Sequence, residues 1–72
     1  MSDITLGIIG GGQLGSLLSV AANKLNIDTV ILSDDQNSPA KNFTKTFICG
    51  NYDDEKLIQE FLNKVNVITY EF

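Results

Sequence analysis

Ile4-Thr5-Leu6-Gly7-Ile8-Ile9-Gly10-Gly11-Gly12-Gln13-Leu14-Gly15 is the stretch on which the reading of this chain turns. Residues 4–9 are too continuously apolar for a strand with one solvated face, so they read as a first strand buried on both faces. Glycines at 10, 12 and 15 then have the spacing G-x-G-x-x-G, and a helical pattern leaves from them. Gly10 allows a tight turn, Gly12 lets a ligand come close to the backbone, and Gly15 lets the new helix pack closely on its strand. The first-turn N–H groups of that helix, with its dipole, form a site for an anion or a polar group. Such spacing recurs in many proteins. The strand before it and the helix after it make a ligand-facing turn the preferred reading over a merely tight connection.

Outward from the turn, Leu14, Leu17, Leu18, Ala21, Ala22 and Leu25 recur at helical spacing, a stripe expected to face the core. Ser16, Ser19, Asn23 and Lys24 fall on the other side. Asn26 is expected to end the helix, because Asn tolerates the left-handed conformation found there. Thr29-Val30-Ile31-Leu32 reads as strand 2, stopping at a polar loop, Ser33 to Pro39, that holds the only proline. A single helical turn follows around Ala40 to Phe43. Thr46-Phe47-Ile48-Cys49 reads as strand 3, closed by Gly50. Asp53 is expected to cap a helix whose first turn carries Asp54 and Glu55. Leu57, Ile58, Phe61, Leu62 and Val65 give that helix its apolar stripe, and Val67-Ile68-Thr69-Tyr70 is strand 4.

This order predicts an α/β, Rossmann-like doubly wound parallel sheet with strands in the order 3-2-1-4. The switch point falls between strands 1 and 4, so the glycine turn and Tyr70-Glu71 should face one crevice. No helix follows strand 4 to cover its edge. The chain is therefore expected to be one truncated domain spanning 1–72, and its bare edge to invite self-association.

Composition narrows the function. With 72 residues, 43% hydrophobic and 19% charged, the chain is globular in character and too short for more than one domain. No apolar run approaches the roughly 20 residues of a membrane helix. The N-terminus lacks the basic region of a signal peptide, and the one cysteine, Cys49, is expected to be a buried strand residue. A cytoplasmic protein with no membrane partner is the expectation. There is no His and no Arg, and the net charge is −4. That removes an imidazole base, a bidentate phosphate clamp and any basic face for nucleic acid, and makes a zinc site unexpected. The chain is equipped to hold a ligand rather than to transform one, so no catalytic residue and no metal site are assigned.

Two acidic positions bear on the ligand. An NAD-binding domain needs an acid near the end of strand 2 for the adenosine ribose. Ser33 stands at that end with Asp34 and Asp35 just beyond, and these acids read equally well as a solvated loop pair. An NAD-binding domain of a dehydrogenase or regulatory module is therefore the alternative reading. Glu71, at the end of a central strand, would be costly to bury without solvent, a partner or a ligand, which favours a binding role. Tyr70 beside it reads as a packing residue.

Gly10-Gly11-Gly12-Gln13-Leu14-Gly15, Asn37-Ser38-Pro39-Ala40, Gly50-Asn51-Tyr52-Asp53-Asp54 and Thr69-Tyr70-Glu71-Phe72, in this order and spacing, resemble the N-terminal region of the 5-(carboxyamino)imidazole ribonucleotide synthases. These are ATP-grasp enzymes of bacterial purine synthesis. The resemblance covers essentially the whole chain but only the first part of such an enzyme. It implies a pre-ATP-grasp domain forming one wall of the site for 5-aminoimidazole ribonucleotide. The family joins that amine to bicarbonate with cleavage of ATP to ADP and phosphate. ATP and magnesium would be bound by later domains that these residues lack, so no cofactor and no turnover are expected of this chain alone. The full enzyme is expected to be a homodimer. A related enzyme, glycinamide ribonucleotide transformylase, touches its ribonucleotide with residues that match Gln13, Leu14 and Glu71, and Gly12 joins them as the substrate-binding set. One position departs from the pattern. The family commonly has Asp where this chain has Ser33, so a hydroxyl, or Asp35 nearby, would take over that role.

Overall fold

Alternating strands and helices joined by short connections leave parallel pairing as the accessible arrangement. In the computed structural model, which describes residues 4–10 and 12–70, the chain runs β1 (Thr5–Ile9), α1 (Gln13–Lys24), β2 (Asp28–Ser33), a 3-10 helix (Pro39–Phe43), β3 (Thr46–Cys49), α2 (Glu55–Lys64) and β4 (Val67–Tyr70). All strands pair in parallel in the order β3-β2-β1-β4, as read from the sequence. β2 extends one residue further at each end than its apolar run implies. Ile8 pairs with Ile31 on one side and Thr69 on the other, which places β1 in the interior of the sheet.

Side chains alternate between the two faces, as the pleat requires. Val30, Leu32 and Ile48 point to the α2 face and pack with the fully buried Phe61, joined by Ile9, Leu57, Ile58 and Val65. Ile8 and Ile31 point the other way and pack with Ala40, Leu6, Leu18 and Phe47. Gly7 lies under α2. A Cβ built on it would come within 2.7 Å of Phe61 Cζ and 2.9 Å of Val65 Cγ1, so β1 and α2 approach more closely than any other residue at position 7 allows.

The helix ends follow local chemistry. At the end of α1, Asn26 takes φ 60°, the Ile27 N–H donates to the Ala22 carbonyl (2.8 Å) and the Asn26 N–H to that of Asn23 (3.1 Å). This is the left-handed stop anticipated for Asn26. At the start of α2 the capping carboxylate belongs to Asp54 rather than Asp53. Its Oδ1 accepts from the Lys56 and Leu57 N–H groups at 3.1 and 3.2 Å, while Asp53 precedes the cap.

The face of α1 differs from the expected one. Gly15, Ser16, Ser19 and Ala22 are buried, whereas Leu14, Leu17 and Leu25 are 50%, 63% and 69% exposed and Ala21 is exposed beside them. Of the expected core stripe, only Ala22 and the half-buried Leu18 turn inward. The cause is steric. α1 lies against β2 and the 3-10 helix, and small side chains let it come close to both, with Asn23 Nδ2 donating to the Phe43 carbonyl at 3.2 Å. Ser19 is fully buried and its Oγ has no partner among the described residues. The close packing must offset the cost of that hydroxyl, about 1–3 kcal/mol. Cys49, expected to be buried, is half-buried, and Tyr70, expected to pack, is 65% exposed.

Candidate functional site

β1 runs straight into the glycine turn, so the turn sits at the carboxyl end of an interior strand. Gly10 is buried with φ 112°, a conformation L side chains rarely adopt, and its N–H donates to the Leu32 carbonyl at 2.8 Å. The turn is thus fastened to the end of β2. Gly12 is the N-cap of α1 in an extended conformation. Its carbonyl accepts from both the Ser16 N–H (3.1 Å) and Ser16 Oγ (3.2 Å). Gln13 and Leu14 are the first two residues of α1, and both are exposed. No acid lies in the first turn to compete for its N–H groups, so the positive end of α1 is open to a polar or anionic group.

On the other flank, β4 pairs with β1 so that Tyr70 stands opposite Ile9, the residue before Gly10. Strand 4 therefore ends beside the glycine turn, as its topology requires. Glu71 itself lies outside the described residues, as does Gly11. Gly12, Gln13 and Leu14 are brought together at one helix end.

The loop after β2 forms the third margin. Ser33 is buried, its Oγ lies 2.6 Å from Ser38 Oγ, and it accepts from the Asp35 N–H at 3.1 Å. Ser38 Oγ also donates to the Asp35 carbonyl (2.7 Å), and Asp35 Oδ1 accepts from the Asn37 N–H (2.9 Å). The Gly50 N–H donates to the Ser33 carbonyl at 3.0 Å, tying the loop to the end of β3. The hydroxyl at position 33 thus orders residues 33–38, a role the sequence pattern left open. Ser33→Ala removes an acceptor for the Asp35 N–H and a partner of Ser38, and is expected to cost about 1–2 kcal/mol. In a thermal melt this appears as a fall of roughly 5–10 °C. An unchanged melting temperature would dismiss the latch.

Two hollows of about 280 and 300 Å³ lie away from this end of the sheet. The first is bounded by Thr5, Asp28 and Thr46 at the starts of β1, β2 and β3, with Lys45 and Lys64. The second is bounded by Asn23, Asn42, Phe43, Thr44 and Lys45. Neither touches the glycine turn. Among the described residues no group of three or more Cys, Asp or Glu could hold a metal ion, and no helix is long and apolar enough to cross a membrane.

A parallel 3-2-1-4 sheet, with a glycine turn and a helix N-terminus at its switch point, defines a doubly wound α/β unit. Residues 3–72 match the family model described as the ribonucleotide synthetase pre-ATP-grasp domain, and the chain belongs to that family. It is 44% identical over 68 residues to an N5-carboxyaminoimidazole ribonucleotide synthase of Staphylococcus haemolyticus, covering 94% of this chain and 18% of that protein. The structure of the Staphylococcus aureus N5-carboxyaminoimidazole synthetase complexed with ADP superposes with a TM-score of 0.91 at 41% identity, over 97% of this chain and 19% of that one. The synthase from Aspergillus clavatus, in complex with ADP and 5-aminoimidazole ribonucleotide, gives 0.80 at 34% identity, over 96% and 19%. The chain therefore spans less than a fifth of the length of these relatives.

Proposed function

We propose that these 72 residues are the substrate-side domain of an ATP-dependent ligase that carboxylates 5-aminoimidazole ribonucleotide with bicarbonate in purine biosynthesis. One observation carries the reading. Across nearly its whole length the chain has the fold of synthases whose solved structures contain ADP and, in one, 5-aminoimidazole ribonucleotide, and it sets its glycine turn at the switch point of that fold. Gly12, Gln13, Leu14 and Glu71 are the residues assigned to the ribonucleotide. Gly12 leaves room for the ligand at the backbone, and Gln13 offers an amide and Leu14 an apolar surface at the positive end of α1. Glu71 supplies an acceptor from strand 4. ATP and Mg²⁺ belong to other domains of the ligase, which acts in the cytoplasm as a homodimer. The 72 residues perform no turnover by themselves.

The NAD-binding alternative is not favoured. β2 ends in Ser33, whose hydroxyl is engaged with Ser38 and Asp35 rather than presented to a ribose, and the chain has no Arg and no His.

Titration of the isotope-labelled chain with 5-aminoimidazole ribonucleotide tests the proposal. Saturable amide shifts are expected at Gly12, Gln13, Leu14 and Glu71, and none with NAD. In the ligase that carries the domain, Gln13→Ala is expected to raise the KM for the ribonucleotide about tenfold, the value of one hydrogen bond, with kcat and the KM for ATP little changed. Saturable NAD binding, or ribonucleotide shifts confined to other residues, would overturn the assignment.

A further inference from the structure

Glu71 follows β4, so the register of β4 against β1 decides where that carboxylate stands. Backbone pairing does not decide the register alone. The bonds of a parallel ladder repeat every two residues, so a strand shifted by two makes the same bonds. Burial decides little either. Val67, Ile68 and Tyr70 are 50%, 38% and 65% exposed, and no β4 side chain belongs to either core cluster. Asn66, just before β4, supplies what both lack. Its N–H donates to the Thr5 carbonyl at 2.9 Å, and its Oδ1 accepts from the Thr5 N–H at 2.9 Å. One residue thus engages both backbone groups of the first residue of β1, 61 positions away in sequence. We infer that Asn66 is a positioning residue, whose clasp on Thr5 fixes the register of β4 and with it the place of Glu71 at the ribonucleotide.

The clasp is specific to one register. Leu6 stands opposite Val67, which sets Asn66 opposite Thr5. A shift by two would bring Ile68 or Lys64 to that place, and neither side chain carries an acceptor for the Thr5 N–H. With Ile68 opposite Thr5, Glu71 would withdraw by about 6.6 Å, two residues of strand, and lose a ligand held at the glycine turn. A shift the other way would unwind the last turn of α2, which ends at Lys64. Val65 packs against the α2-side core, so the clasp follows directly on the last side chain that anchors the connection. Asn66 itself is exposed and lies at the far end of β4 from the glycine turn, so it acts through Glu71 and touches no ligand there.

The inference rests on the ribonucleotide role proposed for Glu71, and its test separates the two. In the ligase that carries the domain, Asn66→Ala is expected to raise the KM for 5-aminoimidazole ribonucleotide about tenfold, with kcat and the KM for ATP little changed. Asn66→Asp keeps an acceptor oxygen at the same reach and is expected to bring KM back to within about twofold of wild type. In a Glu71→Ala background, Asn66→Ala should add less than about twofold, because the two residues act as one unit. On the 72-residue chain, nuclear Overhauser contacts between the Ile9 and Tyr70 backbones should be present in the wild type and in Asn66→Asp, and lost in Asn66→Ala.

A merely structural clasp would lower the melting temperature of Asn66→Ala and leave its KM alone, and that result overturns the inference. So does a raised KM that Asn66→Asp fails to rescue, or full additivity with Glu71→Ala. Retention of the Ile9–Tyr70 contacts in Asn66→Ala overturns it too, because the register would then be held without the side chain. If Glu71→Ala leaves KM unchanged, the ribonucleotide role of Glu71 falls and the positioning role with it. If Glu71→Ala raises KM and Asn66→Ala does not, the positioning role alone falls.

Discussion

Phe61→Ala is expected to bring the isolated chain to the edge of unfolding at 25 °C. Phe61 is fully buried at the centre of the α2-side core, against Val30, Leu32 and Ile48 from two strands. Removing such a ring leaves a cavity that so small a fold has little means to close, and costs about 3–5 kcal/mol. Domains hold roughly 0.05–0.15 kcal/mol per residue, so 72 residues hold about 4–11 kcal/mol, and a four-stranded unit sits near the bottom of that range. The loss therefore consumes most or all of the stability. Urea titration followed by far-ultraviolet circular dichroism reads this directly. The wild type should give a cooperative transition, whereas Phe61→Ala should begin its transition at or near zero denaturant. A loss below about 1 kcal/mol would show that α2 is not anchored through this ring, because truncations of well-packed aromatics do not come so cheaply.

Phe61 was legible before any coordinates. It lies in the expected stripe with Leu57, Ile58, Leu62 and Val65, and Lys56, Gln59, Glu60 and Lys64 occupy the rest of the helix; of that stripe Leu62 turns outward, 42% exposed, at the margin of the buried face. The strand order was legible for a similar reason. Short connections allow only parallel crossovers, and handedness then chooses the order. α1 was not. Its sequence, QLGSLLSVAANK, is apolar or small on most sides, and leucines at helical spacing outweigh serines in any pattern that scores hydrophobicity. The inward face was decided by distance instead. The 3-10 helix and β2 draw α1 close, which selects Gly15, Ser16, Ser19 and Ala22 and turns Leu17 and Leu25 outward.

The candidate site divides along the same line. Gly10 announced its turn, because only glycine reaches φ 112° without strain, and the spacing to Gly12 and Gly15 located the helix start. The role of Ser33 was hidden because its two partners, Ser38 and the Asp35 N–H, are set by a loop conformation that no periodicity encodes. That the hydroxyl orders the loop became visible only in the packed structure.

Gly7 is the position where the sequence looks most permissive and the fold is least so. It falls within an apolar strand, where Ala or Val would satisfy both pattern and β-propensity. Yet a Cβ there meets Phe61 Cζ at 2.7 Å and Val65 Cγ1 at 2.9 Å, distances that force α2 off the sheet or the ring off its rotamer. Gly7→Ala is therefore expected to cost about 2–3 kcal/mol, at the upper end for an overpacked core, and Gly7→Val to prevent folding. Steric origin can be separated from a mere change in strand propensity by a double-mutant cycle. Phe61→Leu, which deletes the Cζ atom, should cost about 1–1.5 kcal/mol alone. In that background the new methyl at position 7 enters the vacated space, so Gly7→Ala should cost at least 0.5–1 kcal/mol less than in the wild type. The relief should be incomplete, because Val65 Cγ1 remains in the way, and adding Val65→Ala should extend it. Strict additivity, within about 0.3–0.5 kcal/mol, would place the penalty in the backbone of β1 and not in the approach of α2. The coupling matters for function as well as stability. β1 carries the glycine turn at its carboxyl end, so a helix pushed off Gly7 tilts the strand that leads into Gly12, Gln13 and Leu14, the residues proposed for the ribonucleotide.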